Sequence, residues 1–157
     1  MNREIKFRGK EKVFGWYYGN LDITEYSKNG GKSYIYRITP VSKDNGSSVC
    51  VIPKTIGQFT GKQDWKGREI YEHDIYFDEV ELDTGDRREY YICVWVDEWS
   101  RFVWLHIGEY VEYIDNGVDY IEEHNEGMMN TFGLNIERMH YAGNIHDNSE
   151  LLKTAQP

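Results

Sequence analysis

The run IYFDEVELDTGDRREYYICVWVDEWSRFVWLHI, residues 75–107, leaves this chain few folds to choose from. Three strand-like stretches are separated by the turn compositions DTGDR at 83–87 and DEWSR at 97–101, the pattern of an antiparallel meander. In the middle stretch Tyr91, Cys93 and Trp95 share one face, and Tyr90, Ile92, Val94 and Val96 share the other. A strand apolar on both faces belongs in the centre of a sheet covered on both sides. Composition agrees. There are 13 Tyr, 5 Trp and 15 Gly, while Ala occurs only at 142 and 155, so β structure dominates and helix is the minority.

Elsewhere the same period recurs. EIKFRG at 4–9 sets Ile5 and Phe7 on one face, and VFGWYYGNL at 13–21 is a second strand with Gly15 as a bulge or close approach. Residues 22–38 read as a hairpin with a loose tip, SKNGGKS at 27–33. A polar loop, SKDNGSS at 42–48, precedes VCVI, and Pro40 and Pro53 suit an edge or a junction. In EYVEYIDNGVDYIEEH, 109–124, Asn116-Gly117 between alternating runs predicts another hairpin. Tyr110, Tyr113 and Ile114 also fit a helical spacing, so a helix stays open as the alternative. HYAGNI is a closing strand and NSELLK a short helix, with Asp147 as N-cap and Glu150 in the capping-box position.

TIGQFTGKQDWKGREIYEHDI, 55–75, combines a short strand broken at Gly61 with two sharp corners. Asp64-Trp65-Lys66-Gly67 has the composition of a type I turn followed by a left-handed residue. Glu72-His73-Asp74 is the second corner, and corners this close are how a small barrel changes direction. This stretch, GNIHDNSELL at 143–152 and REIKFRG at 3–9 together resemble the YopX family of bacteriophage and prophage proteins. Family members usually carry Gly at the position of His73, which implies positive φ there and a more stable protein on substitution by Gly. The resemblance implies a mainly β fold: a small SH3-like barrel over residues 55–146. An N-terminal β-rich region, 1–54, adds strands against the 55–157 part, and a short helix closes the chain. It brings no activity with it.

Charge is divided along the chain. Residues 1–73 carry 13 Lys/Arg against 8 Asp/Glu, whereas residues 74–157 carry 5 against 19. Neither Lys nor Arg occurs from Phe102 to Glu137. Such asymmetry predicts either a solvated surface or attraction between unlike halves of neighbouring copies. No run of about 18 apolar residues exists to span a membrane, and MNREIKFRGK has no secretory apolar core. Cys50 and Cys93, in apolar runs without a CxxC, predict buried reduced thiols and a cytoplasmic location in a bacterial host.

No motif calls for catalysis. His124 among Glu122, Glu123 and Glu126 mixes imidazole and carboxylates, but neighbouring residues on a regular strand cannot all face one ion, so no metal and no cofactor is expected. His140 and His146 have no ligand spacing, there is no G-x-S-x-G elbow, and neither Gly-rich loop matches a P-loop. Binding is the better reading. Lys62, Lys66 and Arg68 flank Trp65 at a hairpin tip, where an exposed Trp suits an interface. The preferred function is a non-enzymatic phage or prophage accessory protein that contacts an unidentified phage or host protein, with copies of itself as a further partner. The alternative is a nucleic-acid-binding barrel using the basic half, disfavoured because a net −9 chain repels phosphate.

Overall fold

The protein is described by a computed structural model covering residues 4–41, 47–81, 87–119 and 138–155. Most of the expected turn at 83–87 and of the loop at 42–48, the 120–124 end of the predicted hairpin, and Glu122, Glu123, His124 and Glu126 fall outside these residues. The fold is mainly β and divides into two compact units, Met1–Lys62 and Gln63–Pro157.

The first unit is an antiparallel sheet. Its strands are β1 (Phe7–Glu11), β2 (Gly15–Lys28), β3 (Gly31–Pro40), β4 (Val49–Cys50) and β5 (Gly57–Gln63), in spatial order β4, β3, β2, β1, β5. Gly15 ends the β1–β2 turn at φ 96°, where the Glu11 carboxylate accepts the amides of Val13 and Phe14. Those two hydrogen bonds hold the Glu11 carboxyl below its usual range. The hairpin expected over 22–38 is present, but its tip is tight, not loose. β2 and β3 pair without interruption from Gly19–Pro40 to Lys28–Gly31. Asn29 and Gly30, at φ 52° and 78°, make the two-residue turn whose twist matches the strands. Gly19 is required where it sits, since a Cβ there would lie 2.0 Å from the Thr39 carbonyl oxygen. Pro53 opens a 3-10 turn, Pro53–Thr55, and β5 runs on through Gly61 at φ 83° where a break was expected. Cys50, on the two-residue edge strand, is exposed, which corrects the expectation that both thiols are buried; Cys93 is buried as expected.

The second unit begins with β6 (Glu69–Tyr71) and builds a four-stranded antiparallel sheet. Its strands are β7 (Asp74–Val80), β8 (Arg87–Val96), β9 (Arg101–His106) and β10 (His140–Asn144), ordered β10, β7, β8, β9. The central place of β8 follows from its two apolar faces. Ile92, Val94 and Val96 pack with Ile75, Val103 and Leu105 on one side, and Cys93 packs with Tyr76, Ile70 and Met139 on the other.

The closed barrel expected over 55–146 is corrected to an open sheet, with β9 and β10 at its edges. Where another hairpin was expected from residue 109, the chain forms a helix, α1 (Ile107–Asn116). His106 Nδ1 accepts the Gly108 amide, and Glu109 Oε2 accepts the His106 amide at 2.9 Å, a reciprocal cap that starts the helix. Ile107 and Tyr110 then bury one face against the sheet. Gly117, at φ 75°, ends the helix by donating to the Tyr113 carbonyl. Asn116-Gly117 is therefore a helix end, while Asn29-Gly30 is the hairpin. The closing helix, Ser149–Ala155, is a 3-10 helix that lays Leu151 and Leu152 on the same core.

Candidate functional site

The Asp64–Gly67 turn is built as its composition predicts. Gly67 takes φ 78° and donates to the Asp64 carbonyl, and the Asp64 amide donates to Arg68 O. Asp64 is the buried pin of this corner. Its Oδ1 accepts the amides of Lys66 and Arg68, both at 2.9 Å, and its Oδ2 accepts the Tyr76 hydroxyl at 3.1 Å. Burial, then the carboxylates of Asp74 and Asp64, push the Tyr76 pKa well up, so the phenol stays protonated and donates.

With the turn fixed from below, its upper residues are presented outward. Trp65 is 50% exposed, yet its indole Nε1 donates to the Met139 carbonyl at 3.1 Å and its ring meets His140 edge-on at 5.8 Å. The Lys66 ammonium sits 4.6 Å above the Trp65 ring, and the Arg68 guanidinium sits 4.1 Å above Tyr141. Trp65 is thus half covered by its own unit and half open. Lys62, on β5, belongs to the first unit, whereas Trp65, Lys66 and Arg68 belong to the second.

Sequence reasoning missed the neighbours of Trp65. His140, Phe77 and Tyr90 are register partners across β10, β7 and β8. His140 stacks on Phe77 at 5.3 Å, Phe77 tilts against Tyr90 at 5.8 Å, and Arg88 lies 4.6 Å above Phe77. The result is an aromatic row, Trp65, His140, Phe77 and Tyr90, with Lys66 and Arg88 stacked upon it. Strand alternation places Phe77 and Tyr90 on known faces, but only the register aligns them.

The second corner joins the two motif blocks. His73 is at φ 68°, as the usual Gly of the family implied. Its amide donates to Cys93 O at 2.7 Å and its carbonyl accepts the Ile145 amide at 3.2 Å. Its ring meets His146 edge-on at 5.4 Å, so the side chain packs as well as turns. Asp74 Oδ2 accepts the Tyr71 amide, and Asn144 Oδ1 accepts the amides of His146 and Asp147. The Asp147 carboxylate accepts from Asn144 Nδ2, and Asn148 immediately precedes the closing helix at Ser149. Gly143 takes φ 143°, and a Cβ there would lie 2.0 Å from Asn148 Oδ1, so a side chain would be strained and would displace Asn148. These motif residues build corners. Among the described residues no three His, Cys, Asp or Glu side chains converge as metal ligands.

The model of the YopX protein family matches residues 6–153. This chain belongs to the YopX family. The Asp64 and His73–Asn144 corners described above lie within the matched span, so the YopX motif blocks have a structural use in this chain. The crystal structure of protein EF1440 from Enterococcus faecalis is similar at 21% identity, covering 96% of this YopX chain and 99% of that chain, with a TM-score of 0.47. Comparison with curated proteins gives no match. Among the described residues, no helix is long and apolar enough to cross a membrane.

Proposed function

We propose that this YopX-family chain is a phage or prophage accessory protein that acts in the host cytoplasm by protein contacts, with its N-terminal sheet as the contact surface. One observation carries this reading. Of the ten large apolar side chains exposed among the described residues, eight lie in the first unit: Ile5, Val13, Phe14, Tyr18, Ile23, Tyr26, Tyr34 and Val41. Single exposed apolar residues are ordinary, but a concentration of them in one small unit, four on its strands and four outside them, favours an interface. Val13 and Phe14, at 75% and 80% exposure, occupy one hairpin tip, where tryptophan-like anchoring by an aromatic is most accessible. Capture from host lysate tests the reading. The protein should retain a protein partner after nuclease treatment, and Phe14→Ser with Ile23→Ser should lose it; retention that vanishes with nuclease alone would reject it.

The nucleic-acid reading is favoured by a different observation, the cations stacked on the Trp65 row. Base stacking there requires Lys66 to leave the Trp65 face it covers. Under this reading oligonucleotide affinity falls steeply with salt, Lys66→Ala flattens that slope, and Trp65→Ala costs roughly 1–3 kcal/mol. Under the preferred reading nothing is retained at about 0.15 M salt, where charge acts over about 8 Å.

A further inference from the structure

The ribbon formed by β2 and β3 outruns its neighbours. β1 pairs with β2 only from Gly15 to Gly19, and β4 meets β3 only at Arg37 and Ile38. From Asn20 to Lys28, β2 is paired by β3 on one side, and among the described residues no strand pairs with it on the other. Side chains from Asp22 to Gly30 are all exposed. The direction of the bare edge follows from one bond. Val51 donates to Tyr36 O, so the backbone of Tyr36 faces away from β2. Antiparallel alternation then turns Ile23, which is opposite Tyr36, and likewise Leu21, Glu25 and Ser27, outward with their N–H and C=O groups. Neither proline nor a register shift interrupts Asn20–Lys28. Proteins usually blunt such an edge with proline, a bulge or charge; this one has only the charges Asp22, Glu25 and Lys28, so it can still template a strand whose charges complement them.

We propose that this edge receives a second copy of the chain, β2 against β2, antiparallel about a two-fold axis at Thr24. This rests on the reading that the N-terminal sheet makes protein contacts. The pattern is self-complementary in that register. Ile23 stands opposite Glu25 of the second copy and Leu21 opposite Ser27, each an outward-facing pair able to exchange both backbone bonds. On the other face Asp22 stands opposite Tyr26 and Lys28 opposite Asn20, with Lys28 diagonal to Asp22 of the second copy. No like charges face each other, and Glu25 is already paired with Lys32 at 3.1 Å within its own ribbon. Moving the axis to Glu25 would set two carboxylates face to face, which is unfavourable.

The axis makes Thr24 its own partner at a non-hydrogen-bonded site, where Cα atoms lie about 4.5 Å apart, within disulfide reach. In a Cys50→Ser background, which removes the exposed native thiol, Thr24→Cys should oxidise to a covalent dimer, and Lys28→Cys, distant from its own copy, should not. Ile23→Pro removes only an outward N–H and should weaken dimerisation measured by light scattering at least tenfold. The proposal is overturned if Thr24→Cys stays monomeric under oxidation, or if Ile23→Pro dimerises like the unmodified chain. Should Thr24→Cys stay monomeric while Ile23→Pro abolishes capture of a host protein, the second copy is refuted as occupant and the protein-contact reading stands. Neither dimer nor captured protein would reject both.

Discussion

Replacing Asp64 with Ala should unfold the protein readily, although Asp64 sits beside the most exposed tryptophan of the described residues. The side chain is 7% exposed and accepts three hydrogen bonds. Each contributes about 1 kcal/mol net, and the Tyr76 hydroxyl, on a fully buried residue, would lose its acceptor at a further cost of about 1–3 kcal/mol. The expected loss is about 4–6 kcal/mol, a large part of the roughly 5–15 kcal/mol that holds a domain folded. With a urea dependence of about 2 kcal/mol per molar, the midpoint should fall by about 2–3 M. Tyr76→Phe removes the hydroxyl without disturbing the two turn amides and should cost only about 1–2 kcal/mol. In the double variant the effects should fall short of additive, because both report one bond. An Asp64→Ala variant within about 1 kcal/mol of the parent, with unchanged urea dependence, would refute the view that this acid exists to hold the corner.

At the second corner, His73→Gly removes a left-handed penalty of about 1 kcal/mol but also the edge-on contact with His146, worth about 0.5–1.5 kcal/mol. Equilibrium unfolding should find the two nearly cancelling, whereas His73→Val, β-branched at φ 68°, should destabilise clearly. Tyr91 is pushed up to about 12 by burial and by its hydrogen bond to Glu89, and Tyr76 is raised by burial and by Asp74 and Asp64. Raised phenols stabilise the fold fully below their unfolded pKa near 10, and that contribution is lost as pH rises through the folded values. Urea midpoints should therefore fall above pH 10, less steeply in Tyr91→Phe; equal slopes would remove the tyrosines from the explanation.

How much was legible depended on how local the deciding interaction is. The meander, the Asp64 turn and positive φ at His73 could be read because turn chemistry and strand period are written in adjacent residues. Two Asn-Gly pairs show where this stops. Asn29-Gly30 closes a hairpin because its flanks reach ten paired residues on each side. Asn116-Gly117 ends a helix because His106 and Glu109, a turn and more upstream, cap its start and Tyr110 finds the core. Alternation alone does not separate them. The barrel expectation failed as well: β9 and β10 stand at the edges of an open sheet, which strand period alone does not foretell. Of the candidate site, Trp65, Lys66 and Arg68 were found at their turn, but the Phe77, Tyr90 and His140 row depends on register across three strands. The bare edge of β2 was hidden likewise, since an unpaired strand differs from a paired one only in where its neighbours end.

Amide hydrogen exchange, read on the free protein and on the complex recovered from host lysate, tests the central claim most directly. If the N-terminal sheet is the contact surface, protection in the complex should rise in peptides covering residues 13–36, above all around Val13 and Phe14 at the exposed hairpin tip. Protection confined to residues 64–68 and 138–141, with the ribbon exchanging as fast as before, would contradict the account and move the site to the Trp65 row.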